Sequence, residues 1–496
     1  MAFEWNQKKY DEIVDTVCSM PRPKSEPVYM IDADKYKHLV RDVTEEYLVH
    51  PDGPFPGTKA EIKKNMEYRG KKLIKKTQQV TYYGDAIQAA IDECAKNGGG
   101  RVEVPAGEWF TGAIELKSHV ELHLSKGATL AFIRNKTNEF YPLRFSRWEA
   151  AECINFSPFV CAYDCEHISI TGEGALDGRA DEFNWMPWKF GYFGETDQEE
   201  MRQKLFKMAE DGVDPKERVF DDKISPLRPP FIQFFNSKNV YLEGITIANS
   251  PFWEVNPVFC ENFWAKGLKI VTDLYNNDGI DPDCCNNVLI EDCFFLTGDD
   301  CIAIKSGRNA DGRKYKTPTQ NVVIRNNKFA NGHGGITIGS EISGGVHDVY
   351  ANNNFFDSPN LDYPVRFKTN ALRGGVLENV YVKHSVVNKS KLAVVHADFF
   401  YDEGHDGDYL PRLANITIDD FKTQKYGSID SKNAFFLKGF EDAPIENIVF
   451  RDMVLDGVKG DAEMINVNNL TYENVTINGK KVENKTVNIG PDGKER

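Results

Sequence analysis

No run of this 496-residue chain is apolar for the roughly 20 residues that a bilayer-spanning helix needs. The opening stretch from Met1 to Lys9 lacks the apolar core of a secretory signal, so the expectation is a cytoplasmic protein. Positive charge is also in short supply. Lys and Arg number 60 against 75 Asp and Glu, for a formal net charge of −15. The long-range field therefore repels nucleic acid and acidic lipid headgroups. With no basic stripe carrying interleaved aromatics, the expected partners include neither nucleic acid nor a membrane. Nor do the ten cysteines build a compact disulfide framework or match a zinc-ligand spacing. Cys284, Cys285, Cys293 and Cys301 fall in strand-like runs, where a thiol behaves as a small core residue and not as a metal ligand.

What the chain has in quantity is a repeat. From residue 101 onward an asparagine is followed by alternating apolar residues and then by a turn rich in Gly, Asn and Asp. The phrase opens at Asn239, Asn287, Asn321, Asn379, Asn415, Asn447 and Asn469, with Asn262 and Asp348 filling the two gaps. Spacings run from 22 residues (447 to 469) to 36 (379 to 415), varying by whole loops. Period-two alternation predicts strands, and a repeat of this length predicts one coil of a parallel β-solenoid. Stacked at a bend, each asparagine tolerates left-handed backbone angles, and its amide is expected to bond to the backbone of the next coil.

A solenoid must cover its open ends, because an exposed strand edge invites aggregation. Residues 85–96 read as an amphipathic helix, with Gly84-Asp85 as its N-cap and Gly98 to Gly100 as its stop, well placed to plug the first coil. Residues 1–76 read as a polar, partly helical extension, with helical pieces near 6–18 and 33–47; residues 77–496 form the solenoid domain. Two insertions interrupt the coils. One, 179–230, carries Trp185, Trp188, Phe190, Tyr192 and Phe193, which either stack on a terminal sugar or pack the insertion against the solenoid. The other, Gly307 to Thr319, carries Arg308, Arg313, Lys314 and Lys316. Long loops on a rigid scaffold commonly shape its binding face.

The chemistry-bearing residues sit in Asn276-Asn277-Asp278-Gly279, Gly298-Asp299-Asp300, Gly332-His333-Gly334 and Arg366-Phe367-Lys368. Any one of these alone is ordinary turn chemistry. Together, Asp278, Asp299, His333 and Arg366 fall near the same phase of four consecutive coils. With coils about 4.8 Å apart, neighbouring members reach a single sugar ring. Bunched carboxylates repel, a cost more readily borne where function needs it. Carboxyl groups flanking one bond are the requirement of glycoside hydrolysis.

These four motifs resemble those of the polygalacturonase family of glycoside hydrolases, family 28: Asn-Thr-Asp, Gly/Gln-Asp-Asp, Gly-His-Gly and Arg-Ile-Lys. Asn277 and Phe367 are replacements that leave the functional positions intact. The resemblance extends over about residues 84–480. Longer phrases, such as 297–308 and 332–341, are most similar to the exo-acting bacterial branch. Two departures stand out: Gln78 to Tyr83 in place of the usual first-coil segment, and Tyr363-Pro364 ahead of Arg366.

The resemblance implies an all-β, right-handed parallel β-helix and an inverting hydrolase that needs no metal and no organic cofactor. Asp299 would protonate the glycosidic oxygen, and Asp278 and Asp300 would hold and deprotonate the attacking water. The neighbouring carboxylates would raise the pKa of Asp299. His333 would orient the cluster, Arg366 and Lys368 would clamp the uronate carboxylate, and Asn276 would help position the sugar. The expected activity is exo: removal of galacturonic acid from the non-reducing end of oligogalacturonides or other pectin-derived substrate. The 179–230 insertion, placed to wall the cleft, and a cytoplasmic location both favour it. Rivals are an endo-polygalacturonase, a hydrolase of rhamnogalacturonan or substituted galacturonan, a calcium-dependent pectate lyase, and a non-catalytic carbohydrate-binding solenoid.

Overall fold

The structure, a computed structural model, describes residues 4–53, 72–192, 197–221 and 227–496. Its contacts fall into two units. One comprises Met1–Met20, Glu261–Lys266 and Gly279–Arg496; the other comprises Pro21–Cys260 and Gly267–Asp278. The fold is the expected right-handed parallel β-helix, and each unit is a set of stacked coils.

In the first unit one face is a six-stranded parallel sheet: β1 (Ile302–Ile304), β2 (Gly334–Gly339), β3 (Tyr363–Lys368), β4 (Ala393–Asp398), β5 (Asn433–Lys438) and β6 (Glu463–Ile465). Inward positions are apolar in every coil. Ile302 pairs with Ile336, Ile336 with Val365, Val365 with Val395 and Val395 with Phe435, and all five are buried. The intervening residues Ala303, Thr337, Arg366, His396 and Phe436 form a second column on the opposite face. Aromatic residues stack coil on coil inside, as in Phe295, Phe329 and Phe356 at 5.3 and 4.7 Å.

The asparagine positions all bend in the left-handed region: φ is 59° at Asn262, 58° at Asn287 and Asn379, 61° at Asn415 and 57° at Asn447 and Asn469. Their amides bond to side chains and not, as expected, to the neighbouring backbone. Asn287 donates to Asn262 at 3.0 Å, Asn415 to Asn379 at 3.1 Å, Asn447 to Asn415 at 3.1 Å and Asn469 to Asn447 at 2.7 Å. Identical bends repeated at the coil spacing bring each amide nitrogen to the next amide oxygen, a ladder that saturates itself. Asn321 departs from it and donates to Asn286 at 2.8 Å.

The helix Gln7–Cys18 forms where expected, capped by the Asn6 side chain on Lys9 N–H. It packs on strands 261–266, 286–291 and 319–325 of its own unit, burying Tyr10, Ile13 and Val17. Trp5 covers Tyr350, and Glu4 pairs with Arg451 at 3.1 Å. The second expected helical piece, 33–47, is instead a 3₁₀ turn, Asp34–Leu39, followed by a strand, Arg41–Val49. Alternation explains the difference. Val43 and Glu45 turn inward while Thr44 and Glu46 stay exposed, and Glu45 is held by Arg134 and Arg179 at 2.9 and 2.6 Å.

In the second unit the helix Gly84–Lys96 buries Ala86, Ile87, Ala90, Ile91 and Cys94. Its N-cap is Tyr83, without a side-chain cap bond, in place of the expected Gly84-Asp85. Trp185 and Trp188 of the long insertion are buried, ringed by Tyr141, Phe156 and Phe159. They pack the insertion onto the coils and are not available as a sugar platform; Phe193 lies outside the described residues. None of the ten cysteines is in a disulfide, and Cys284, Cys285, Cys293 and Cys301 are buried as core residues.

Asn447→Ala removes two ladder bonds and leaves a β-carbon in a left-handed bend, for a loss of about 3 kcal/mol. Asn447→Gly relieves the backbone strain and should cost about half as much. Urea unfolding midpoints of the two variants would separate the contributions; equal costs would mean the bend stores no strain.

Candidate active site

The site-bearing face is built where turns enter β1, β2 and β3. Asp299 and Asp300 occupy the turn into β1, where the Thr297 hydroxyl donates to the Asp299 carbonyl at 2.8 Å. Asp300 N–H donates to Asp299 Oδ1 at 3.0 Å, tying the two carboxyl-bearing residues into one rigid turn. One coil on, His333 N–H donates to the Asp299 carbonyl at 3.0 Å, and His333 Nδ1 lies 2.9 Å from Asp299 Oδ1. Main chain and side chain thus dock the imidazole on Asp299. The Asp299 carboxyl is partly open, and the His333 ring is 45% exposed.

The adjacent carboxyl has a different fate. Asp300 is fully buried, with Oδ1 3.2 Å from Arg366 Nη1 and Oδ2 2.7 Å from Lys368 Nζ. Burial pushes the carboxyl up, but Lys368 and Arg366 outweigh it and hold Asp300 below the ordinary aspartate range. Burial likewise opposes the charge on both cations, and Asp300 reverses it, so each stays above its usual value. The pair expected to clamp a uronate is therefore already ordered on Asp300. Arg366 Nε is buried and has no hydrogen-bond partner among the described residues.

Arg366 and Lys368 reach Asp300 across β2, one coil between. Gly334 makes that crossing possible. A β-carbon there would stand 2.7 Å from Asp300 Oδ1, 1.9 Å from Thr337 Oγ1 and 3.3 Å from Arg366 Cδ. The Gly-His-Gly motif is thus a docked histidine followed by the gap through which the ion triad closes.

Asn276 and Asp278 belong to the other unit, of which Asp278 is the last residue. The Asp278 carbonyl accepts from Glu254 N–H at 2.8 Å. One peptide bond on, Gly279 N–H donates to the Asp300 carbonyl at 2.9 Å. The Asn276 oxygen accepts from Arg228 Nη2 at 2.8 Å, so this amide is fixed by a buried arginine of the long insertion. Asn277 anchors the same turn, donating to the Ser250 carbonyl at 2.8 Å.

Comparison with known proteins agrees with this geometry. The sequence profile of the glycosyl hydrolases family 28 matches residues 219–476, just over half the chain. The chain belongs to that family. It is a glycoside hydrolase, and the matched span contains every residue of the predicted site. Among its relatives, a probable polygalacturonase of Vitis vinifera is 30% identical over 334 residues, 64% of this chain. This chain spans 61% of that relative's length. An exo-poly-alpha-D-galacturonosidase of Dickeya chrysanthemi is 28% identical, covering 85% of this chain and 75% of the relative. Among solved structures, an exopolygalacturonase from Thermotoga maritima matches with a TM-score of 0.82 and 35% identity over 98% of this chain and 99% of its own.

Tyr401 and Lys305 escaped the sequence reading, while Tyr363 and Arg308 were marked there as a departure ahead of Arg366 and as part of the 307–319 insertion. Tyr401 comes from the loop after β4, and its ring centroid lies 5.1 Å from Lys368 Nζ and 5.6 Å from Arg366 Cζ. Tyr363 stands 5.0 Å from Arg366. Lys305, the residue after β1, donates to Glu341 at 2.9 Å, and Arg308 meets the same carboxylate at 3.2 Å. Period-two counting from Ala303 finds Lys305; nothing local in the sequence marks Tyr401.

Gly334→Ala should keep the fold by circular dichroism yet lower kcat at least tenfold, because the triad can no longer close. Asp300→Asn strands a buried lysine and a half-buried arginine and should cost about 3–5 kcal/mol at neutral pH. A carboxyl whose folded pKa is depressed stabilises above its unfolded pKa and loses that contribution as pH falls through the folded value. Unfolding followed against pH should therefore show the gap between Asp300→Asn and the parent closing only below the ordinary aspartate range.

Proposed function

We propose that this chain removes galacturonic acid from the non-reducing end of oligogalacturonides by inverting hydrolysis. The observation that carries the reading is the division of labour between adjacent carboxyls. Asp300 is buried and kept ionised by Arg366 and Lys368, while Asp299 is partly open and docked on His333. Two carboxyls with opposed environments are the arrangement for acid and base roles in one step.

In this reading Asp299 gives its proton to the glycosidic oxygen as the bond to the anomeric carbon breaks. Water attacks that carbon from the opposite face, and Asp278 with Asp300 orients the water and takes its proton. His333 steers the Asp299 carboxyl. Arg366 spends one donor on Asp300 and with Lys368 receives the substrate carboxylate. Exo action is supported by likeness to the Dickeya exo-poly-alpha-D-galacturonosidase and the Thermotoga exopolygalacturonase. We place the protein in the cytoplasm, acting on small pectin-derived oligosaccharides; ten cysteines without a disulfide support a reducing compartment.

Products from a hexagalacturonate time course, resolved by size, test the proposal. Stepwise loss of single units is expected, with the new reducing end appearing first as the β-anomer by proton NMR. Asp299→Asn should lower kcat about 10³-fold. Mid-sized fragments at the earliest times would mean endo action, an ultraviolet-absorbing unsaturated product would mean elimination, and no release would redirect the search to decorated pectins.

A further inference from the structure

The outward columns that carry Arg366 and Lys368 continue beyond them. Register places His396 beside Arg366 and Phe436 beside His396; it places Asp398 beside Lys368 and Lys438 beside Asp398. The His396 ring lies 4.0 Å from Tyr363, and Phe436 stacks on it at 4.9 Å and 13°. Lys438 Nζ sits 4.3 Å from the Phe436 centroid, with its side chain 31% exposed. The pairing of a cation with an aromatic ring seen at Arg366, Lys368, Tyr363 and Tyr401 therefore recurs two coils further on.

We propose that Phe436 and Lys438 form a further subsite for a uronate unit, two sugars beyond the one held by Arg366 and Lys368. The proposal rests on the galacturonide reading above and adds to it the length of substrate that the enzyme grips. Two coils span roughly 10 Å at about 4.8 Å each. An extended 1,4-linked pyranose chain advances by about one such spacing per sugar, so its second unit onward arrives at Phe436. Where successive sugars alternate in facing, the carboxylates of every second unit fall on one side, which matches cations on alternate coils. Stacked on His396 and overlain by Lys438, the Phe436 ring offers its apolar edge to the sugar, and the ammonium offers a counter-charge to its carboxylate.

The titratable groups facing Lys438 come from the two neighbouring strands. Glu463 on β6 lies 3.4 Å away, but it also meets Lys432 at 3.3 Å. Asp398 on β4 accepts from Phe400 N–H at 2.9 Å, and burial pushes its carboxyl up. His396 stays neutral, because burial together with Arg366 and Lys368 pushes it down to about 2. Two lysines thus share the Glu463 carboxylate, which leaves cationic capacity for an incoming uronate. That capacity is local, in a chain whose net charge is −15.

The test compares KM for di- and tetragalacturonate in the parent, Lys438→Met and Lys438→Arg. The expected result is a KM ratio, tetra over di, about tenfold higher in Lys438→Met and largely restored in Lys438→Arg. An unchanged ratio overturns the subsite. So does an equal loss on both substrates, which would place Lys438 in support of the fold. If the parent turns over no galacturonide, the proposed function falls separately, and calorimetry of tetragalacturonate binding to parent and Lys438→Met decides the subsite. Equal or absent binding would reject it.

Discussion

Coil-on-coil register is the constraint from which the rest of this molecule follows. In a parallel stack each residue meets its counterpart one turn of chain away, so a side chain that suits one coil must also suit the next. Apolar positions obey this by repeating, as in the column from Ile302 through Phe435. Polar bends obey it by the asparagine ladder, where each amide is donor to one neighbour and acceptor from the other. Loops are free of the rule because they leave the stack, which is why coil lengths vary so widely without loss of register.

The column beside the candidate site is where the rule is broken, at a cost. The column Ala303, Thr337, Arg366 and His396 changes size and charge at every step. A half-buried arginine and a buried lysine within two residues would be untenable alone, since desolvating such charges costs several kcal/mol. Asp300 answers both, and small residues in between, Gly334 above all, leave the path open. The acidic chain as a whole repels an anionic sugar at long range, so in the proposed function attraction is supplied at contact range by these cations.

Much of this was legible beforehand, for a physical reason. Motifs recurring at one phase of a periodic fold must end on one face, so Asp299, Asp300, His333, Arg366 and Lys368 could be placed together from spacing alone. Bond partners were less legible. The ladder amides found side chains where backbone was expected, because backbone groups were already spent on strand pairing. The strand at Arg41–Val49 was misread as helix because its charged residues hide the alternation that buries Glu45. Tyr401 and Arg228 were invisible, since each reaches the motif residues from a loop whose path no local pattern dictates.

The neighbouring aspartates show how much chemistry one residue of displacement can decide. Asp299 and Asp300 are identical groups in one turn, yet successive residues point to different surroundings. Asp299 faces the open side, where His333 meets it. Asp300 faces the column of β2 and β3 and is enclosed by two cations. A carboxyl among cations loses its proton readily and keeps its charge, which suits it to hold water. In the proposed function the carboxyl at the open rim, with the His333 imidazole beside it, carries the proton to the glycosidic oxygen. No separate device is needed to give two identical side chains opposed surroundings: the turn orients them, and the stacked coils supply the two environments.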